Sequence, residues 1–172
     1  YTGKTGLPST SSGSAFQFIG VMSENPDFGW DYFQALKDNG GMQFKSNSDV
    51  LQRIATSEIW AGPVLDYMVT EMKEQGSPVD FVIPEEGAVV VASPIAKLAN
   101  CKNPELAELF IDYTLSQEGQ QILVNMNTTP VRTDVETPDN VLSLADIAVM
   151  EDNKAYLTNA ESVKASFAEI FG

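Results

Sequence analysis

The chain has 172 residues, 43% of them hydrophobic and 20% charged, which is ample for a buried core and unlike a disordered tract. Ten basic against 24 acidic residues give a net charge of -14, which disfavours nucleic acid or an anionic membrane as partner. Histidine is absent and Cys101 is the sole cysteine, so His-dependent triads, His-bearing zinc sites, internal disulfides and CxxC redox motifs are all excluded.

A small anion can still bind such an acidic chain. Screening acts over about 8 Å at physiological salt, so local donors in a cleft outweigh distant carboxylates. No apolar run approaches the roughly 20 residues that span a bilayer, so the chain is not read as membrane-inserted. Tyr1-Thr2-Gly3 reads as an internal starting point, with no signal peptide, and a fragment of a longer polypeptide is expected.

Gly3-Lys4-Thr5 imitates the tail of a phosphate-binding P-loop, but Gly6 and Pro8 interrupt the helix that motif requires. Thr5 to Leu7 reads instead as the end of a strand. It leads into Ser9-Thr10-Ser11-Ser12-Gly13-Ser14, a hydroxyl-rich turn at the start of a helix. Backbone N–H groups left unpaired there, with the positive end of the helix dipole, make an anion-gripping rim. The alternative is an ordinary serine cap.

Ala15, Phe18, Ile19 and Met22 give that helix an apolar face at spacings of three, four and seven. Asn25-Pro26-Asp27 stops it, and Phe28, Tyr32, Phe33 and Leu36 stripe the next helix, with Trp30 expected to pack in the core and a ligand-facing ring as the alternative. Asn39-Gly40-Gly41 ends this helix and Met42 to Phe44 reads as a short strand. Ser46-Asn47-Ser48-Asp49 then repeats the polar helix start, followed by Val50, Leu51, Ile54 and Ala55 on one face.

Ile59 to Leu65 predicts a buried strand placed at an edge or bulge by Pro63. Asp66-Tyr67 opens the helix carrying Met68 and Met72, with Asp66 read either as its N-cap or as a ligand contact. Val79 to Ile83 predicts a further strand. Alternating strands and helices imply an α/β class with ligand contacts outside the strand ends.

Pro84-Glu85-Glu86-Gly87 marks a boundary or hinge before the extended run Ala88 to Ala92. A helix from Asn103 to Leu115 is expected to bury Leu106, Leu109, Phe110 and Tyr113, and one started by Ser116 carries Ile122, Leu123 and Met126. Pro130 to Val135 reads as extended, Thr137-Pro138-Asp139 as a linker, and Val163, Phe167, Ile170 and Phe171 as the face of a last helix. Asn127-Thr128-Thr129 matches the glycosylation sequon, a pattern too short to carry weight.

Several phrases stand in order: Pro8-Ser9-Thr10-Ser11-Ser12-Gly13-Ser14-Ala15, Val64-Leu65-Asp66-Tyr67, Pro84-Glu85-Glu86-Gly87, Asn103-Pro104-Glu105-Leu106-Ala107, Ser116-Gln117-Glu118-Gly119-Gln120, Pro130-Val131-Arg132 and Glu169-Ile170-Phe171-Gly172. Together they resemble the second half of a type 2 extracytoplasmic solute-binding protein of an ABC importer, in the branch of ferric-iron, phosphonate, sugar-phosphate and polyamine binders. The resemblance implies an α/β lobe, a mixed sheet flanked by helices, with an incomplete second lobe. It puts residues 1–87 in the second lobe, 88–139 in the first, and 140–172 in a helical return to the second. The first lobe's N-terminal half would be missing, so weak or no ligand binding by these residues alone is implied.

The same resemblance maps anion contacts onto Ser11, Ser12, Gly13 and Ser14, with Ser46 and Ser48 as second helix-terminus contacts and Asp66 and Tyr67 as a ligand-contacting pair. It implies a phosphonate or phosphorylated ligand, a membrane permease as partner, a periplasmic or outer-face location, and neither cofactor nor resident metal. Iron-binding members usually present paired tyrosines, so a single Tyr67 without histidine weighs against ferric iron. A receptor-coupled sensor remains an alternative of another class, as does a hydrolase using Asp66 with Glu85 or Glu86, but the reading is of a binding module rather than an enzyme.

Overall fold

A computed structural model describes residues 1–172. Strand β1 (Gly6–Pro8) is followed by helices α1 (Gly13–Glu24) and α2 (Gly29–Asp38), strand β2 (Met42–Phe44), and helices α3 (Asn47–Ala55) and α4 (Asp66–Glu74). After a long irregular stretch come α5 (Pro104–Thr114), α6 (Gln117–Val124), a single 3-10 turn at Ala155–Leu157, and α7 (Ala160–Phe171). β1 and β2 pair in parallel with Gly6 opposite Met42, and Thr5 makes one further parallel bridge to Ala61.

Two compact units emerge. The first joins Tyr1–Val91 to Val149–Gly172, and the second is Ala92–Ala148. In the first unit the core is built from both ends of the chain. Leu7, Ile19, Val21, Met22 and Phe33 are buried with Tyr156, Val163, Phe167 and Phe171. The apolar spacings of α1, α2 and α7 produce this directly, because residues three and four apart share a helix face. Trp30 packs against the same cluster, its ring 5.6 Å from that of Phe33.

Gly20 sits inside α1, where glycine is disfavoured by about 0.5–1 kcal/mol relative to alanine. A Cβ there would lie 2.4 Å from Cγ of Tyr156, so the close approach of the 3-10 turn to α1 requires the glycine. Leu51, Val69 and Val79 form a smaller cluster under α3 and α4.

Strand content falls short of the sequence expectation. Ile59 to Leu65 is not a strand: Ile59 is buried and Ala61 bridges Thr5, but Gly62 and Pro63 end the pairing. Pro63 lacks the N–H a ladder needs, and a Cβ on Gly62 would lie 2.4 Å from the carbonyl oxygen of Gly6. Val79 to Ile83 is likewise irregular, and Val82 is 87% exposed; Pro130 to Val135, read as extended, instead bends at Val131 and from Thr133 to Val135.

In the second unit the α5 helix forms as expected, but its larger apolar face is outward. Leu106, Leu109 and Phe110 are about two-thirds exposed and Tyr113 is also exposed. The half-buried stripe is Ala107, Ile111 and Thr114. Ile122 and Met126 of the following segment are exposed as well, and the buried cluster of this unit is Val124, Val135 and Val141.

Candidate functional site

The three pairing segments, β2, β1 and the bridge at Ala61, run in the same direction. Consequently α1, α3 and α4 depart from the same end of them, which is where parallel arrangements carry ligand contacts. In α1 the N-cap is Ser12, whose Oγ accepts the Ala15 N–H at 3.3 Å. In α3 it is Ser46, whose Oγ accepts the Asp49 N–H at 3.2 Å. Each cap satisfies the third N–H of its helix and leaves the first two, those of Gly13 and Ser14 and of Asn47 and Ser48, without an acceptor.

The two starts are tied together. The Asn47 side-chain amide donates to Ser14 Oγ at 2.9 Å, and Ser14 Oγ lies 3.2 Å from Ser12 Oγ. Nothing in the sequence marks Asn47 as a partner of Ser14. An asparagine beside a serine cap is an ordinary helix-start residue, and its partner lies 33 positions away. Ser11 is exposed, its N–H donating to Ser9 Oγ at 3.2 Å, and Ser48 and Gly13 are exposed on the two helix starts. Nothing lies within 4 Å of a Cβ added at Gly13.

Asp66 and Tyr67 take no part in the hydrogen bonds of this pairing. Asp66 is not the N-cap of α4, a correction to one of its two readings: Leu65 occupies the cap without a side-chain bond, and Asp66 is the first helical residue. A carboxylate there still complements the helix dipole. Tyr67 is 37% exposed.

Electrostatics separate the two serine-capped helices. α3 already holds an anion of its own, because Asp49 in its first turn accepts the Lys45 N–H at 3.3 Å and Arg53 Nε at 3.2 Å. The Arg53 bond, followed by that N–H, holds the Asp49 carboxyl below its ordinary value. α1 has no acidic residue in its first turn, whereas α2, α3, α4, α5, α6 and α7 each have one. In a chain with 24 acidic residues, α1 is therefore the α-helix whose positive end is left uncompensated.

A cleft of about 300 Å³ lies elsewhere in the first unit, lined by Val21, Glu24, Asn25, Pro26, Asp27, Glu151, Asp152 and Asn153. Four carboxylates and no basic group make it unsuited to an anion. Burial, and then the charge of Asp152, raise the Glu24 carboxyl above its ordinary value. A carboxyl raised on folding opposes the fold while ionised, and that opposition fades as pH falls through the folded-state value. Glu24→Gln is accordingly expected to raise the thermal midpoint slightly near neutral pH, with the gain vanishing in acid. A midpoint unchanged or lowered at neutral pH would contradict this.

The parallel pairing and the helix starts at its end make an α/β arrangement. Over 96% of its length the chain matches 54% of the crystal structure of an ABC-transporter substrate-binding protein from Agrobacterium tumefaciens, with a TM-score of 0.70 at 18% identity. Residues 1–149 match the model of the bacterial extracellular solute-binding protein family, and the chain belongs to that family. An uncharacterized protein of Haemophilus influenzae is 30% identical over 118 residues, 65% of this chain and 33% of that protein. The chain thus spans about a third of the length of that relative and about half that of the solved structure. No helix is long and apolar enough to cross a membrane.

Proposed function

We propose that these residues belong to the solute-binding component of an ABC importer and grip a small organic anion, a phosphonate or phosphorylated compound, at the paired starts of α1 and α3. The observation that carries the reading is the uncompensated N-terminus of α1, joined through Ser14 and Asn47 to a second serine-capped helix. Free N–H groups of Gly13, Ser14, Asn47 and Ser48, with the hydroxyls of Ser11, Ser12, Ser14, Ser46 and Ser48, supply donors without a basic side chain. Asp66 and Tyr67 would meet an amine or hydroxyl elsewhere on the ligand.

In this reading residues 1–87 belong to the second lobe, 88–139 to the first, and 140–172 return to the second. The protein acts outside the cytoplasmic membrane, in the periplasm or on the outer face, and delivers its ligand to a membrane permease after lobe closure. It performs no chemistry on the ligand.

Calorimetric titration of the full-length gene product with phosphonates, sugar phosphates, polyamines and ferric salts tests this. Saturable binding of an anionic compound is expected. Tight binding of a polyamine or ferric iron, with every anionic candidate silent, would overturn the anion assignment while leaving the transport class standing.

A further inference from the structure

The first unit is interrupted by the second, so the chain leaves it at Val91 and re-enters it at Val149. We infer that Gln17, on α1, is a positioning residue that latches both of these crossings to the helix whose N-terminus carries Ser12 and Ser14. Its side-chain amide donates one hydrogen to the Val90 carbonyl at 2.9 Å and the other to Asp152 Oδ2 at 3.2 Å. Both partners are acceptors, so the amino group must face them, and its two hydrogens match the two acceptors.

The anchor points are themselves held. Ala88 and Val149 form a parallel bridge, and the Met150 N–H donates to the Ala88 carbonyl at 2.9 Å. Asp152 also accepts the Lys154 N–H at 2.9 Å on Oδ1 and the Tyr156 hydroxyl at 3.4 Å on Oδ2. Gln17 therefore bonds two prearranged acceptors, 73 and 135 positions away in sequence, from a helix that belongs to neither crossing. The outgoing and returning segments have one short pairing of their own. Gln17 ties that pairing to α1, one turn beyond Ser14.

Gln17→Met keeps the side chain's length and removes both donors, so it separates the latch from simple packing. In hydrogen exchange of the chain, protection of the Met150 amide is expected to fall about tenfold or more, the scale of two lost bonds. The Met42 amide, which donates to Thr5 in the parallel sheet, should stay within about threefold of wild type. An unchanged Met150 amide overturns the inference, and so does equal loss at both amides, which would mean general destabilisation. Should Gln17→Met fail to fold, Gln17→Glu is read instead. Ionised, it offers no donor and faces the Asp152 carboxylate, which also accepts the Tyr156 hydroxyl and whose charge is felt by Glu24 on α1. Met150 protection is then expected to be low near neutral pH and to recover in part as the carboxyl takes up a proton, because its single O–H replaces one of the two lost donors, and a flat profile overturns the inference.

Discussion

Phe33→Ala is expected to lower the free energy of unfolding by about 3–5 kcal/mol, the range for removing a buried aromatic ring. Phe33 is fully buried, and its ring meets Trp30 at 5.6 Å, Tyr32 at 5.4 Å and Phe167 at 5.9 Å, the last edge-to-face. Those neighbours come from α2 itself and from α7, two helices that cannot readily close the space. Against a typical total of about 5–15 kcal/mol, that loss is a large fraction of the stability of the first unit. Urea unfolding followed by tryptophan fluorescence measures it cleanly, because both tryptophans, Trp30 and Trp60, lie in that unit. A midpoint shift worth less than about 1 kcal/mol would mean that the α2–α7 contact does not support the core.

The same contact explains why the first unit needs the chain's last residues. Phe167 and Phe171 stack at 4.9 Å, and Phe167 meets Phe33 across a sequence separation that only the return crossing can close. A double-mutant cycle on Phe33 and Phe167 should show coupling of about 0.5–1.5 kcal/mol, as for other aromatic pairs in contact.

The helices were legible where independent local signals coincided. At α1 a serine cap, an apolar stripe and the Asn25-Pro26 stop all agreed, and the structure follows them. At α5 the periodicity fixed the helix but not which stripe packs. Ala107, Ile111 and Thr114 form a second, smaller stripe, and only tertiary context chooses between the two. Ile59 to Leu65 is apolar in composition, yet only Ile59 is buried and Trp60 is 58% exposed, and ladder formation depends on what Gly62 and Pro63 permit. Among the site residues, both serine caps could be read from the chain. The bond from Asn47 to Ser14 could not, because it depends on β1 and β2 lying side by side. Nor could Gln17, a polar residue on a helix flank like many others until the crossings are seen beside it.

Gly13→Asp is expected to weaken binding of an anionic ligand by more than about tenfold while leaving the fold equally or more stable. Gly13 is the first residue of α1, is exposed, and has open space where a Cβ would stand. An aspartate there supplies the missing first-turn carboxylate, worth about 0.3–1 kcal/mol to the helix. The same charge would occupy the rim. At 4 Å two like charges repel by about 1 kcal/mol in water and about 4 kcal/mol near a protein surface, so a tenfold loss, about 1.4 kcal/mol, falls within that range. Stability and affinity therefore move in opposite directions, which mere damage to the fold cannot produce. Gly13→Asn adds the same bulk without charge and should hold affinity within about threefold of wild type, since its Cβ meets open space. The sign of the aspartate effect also reports the ligand's charge: calorimetry showing tighter binding of a polyamine or ferric salt in Gly13→Asp would reverse the assignment, because a cation is drawn to the carboxylate that repels an anion.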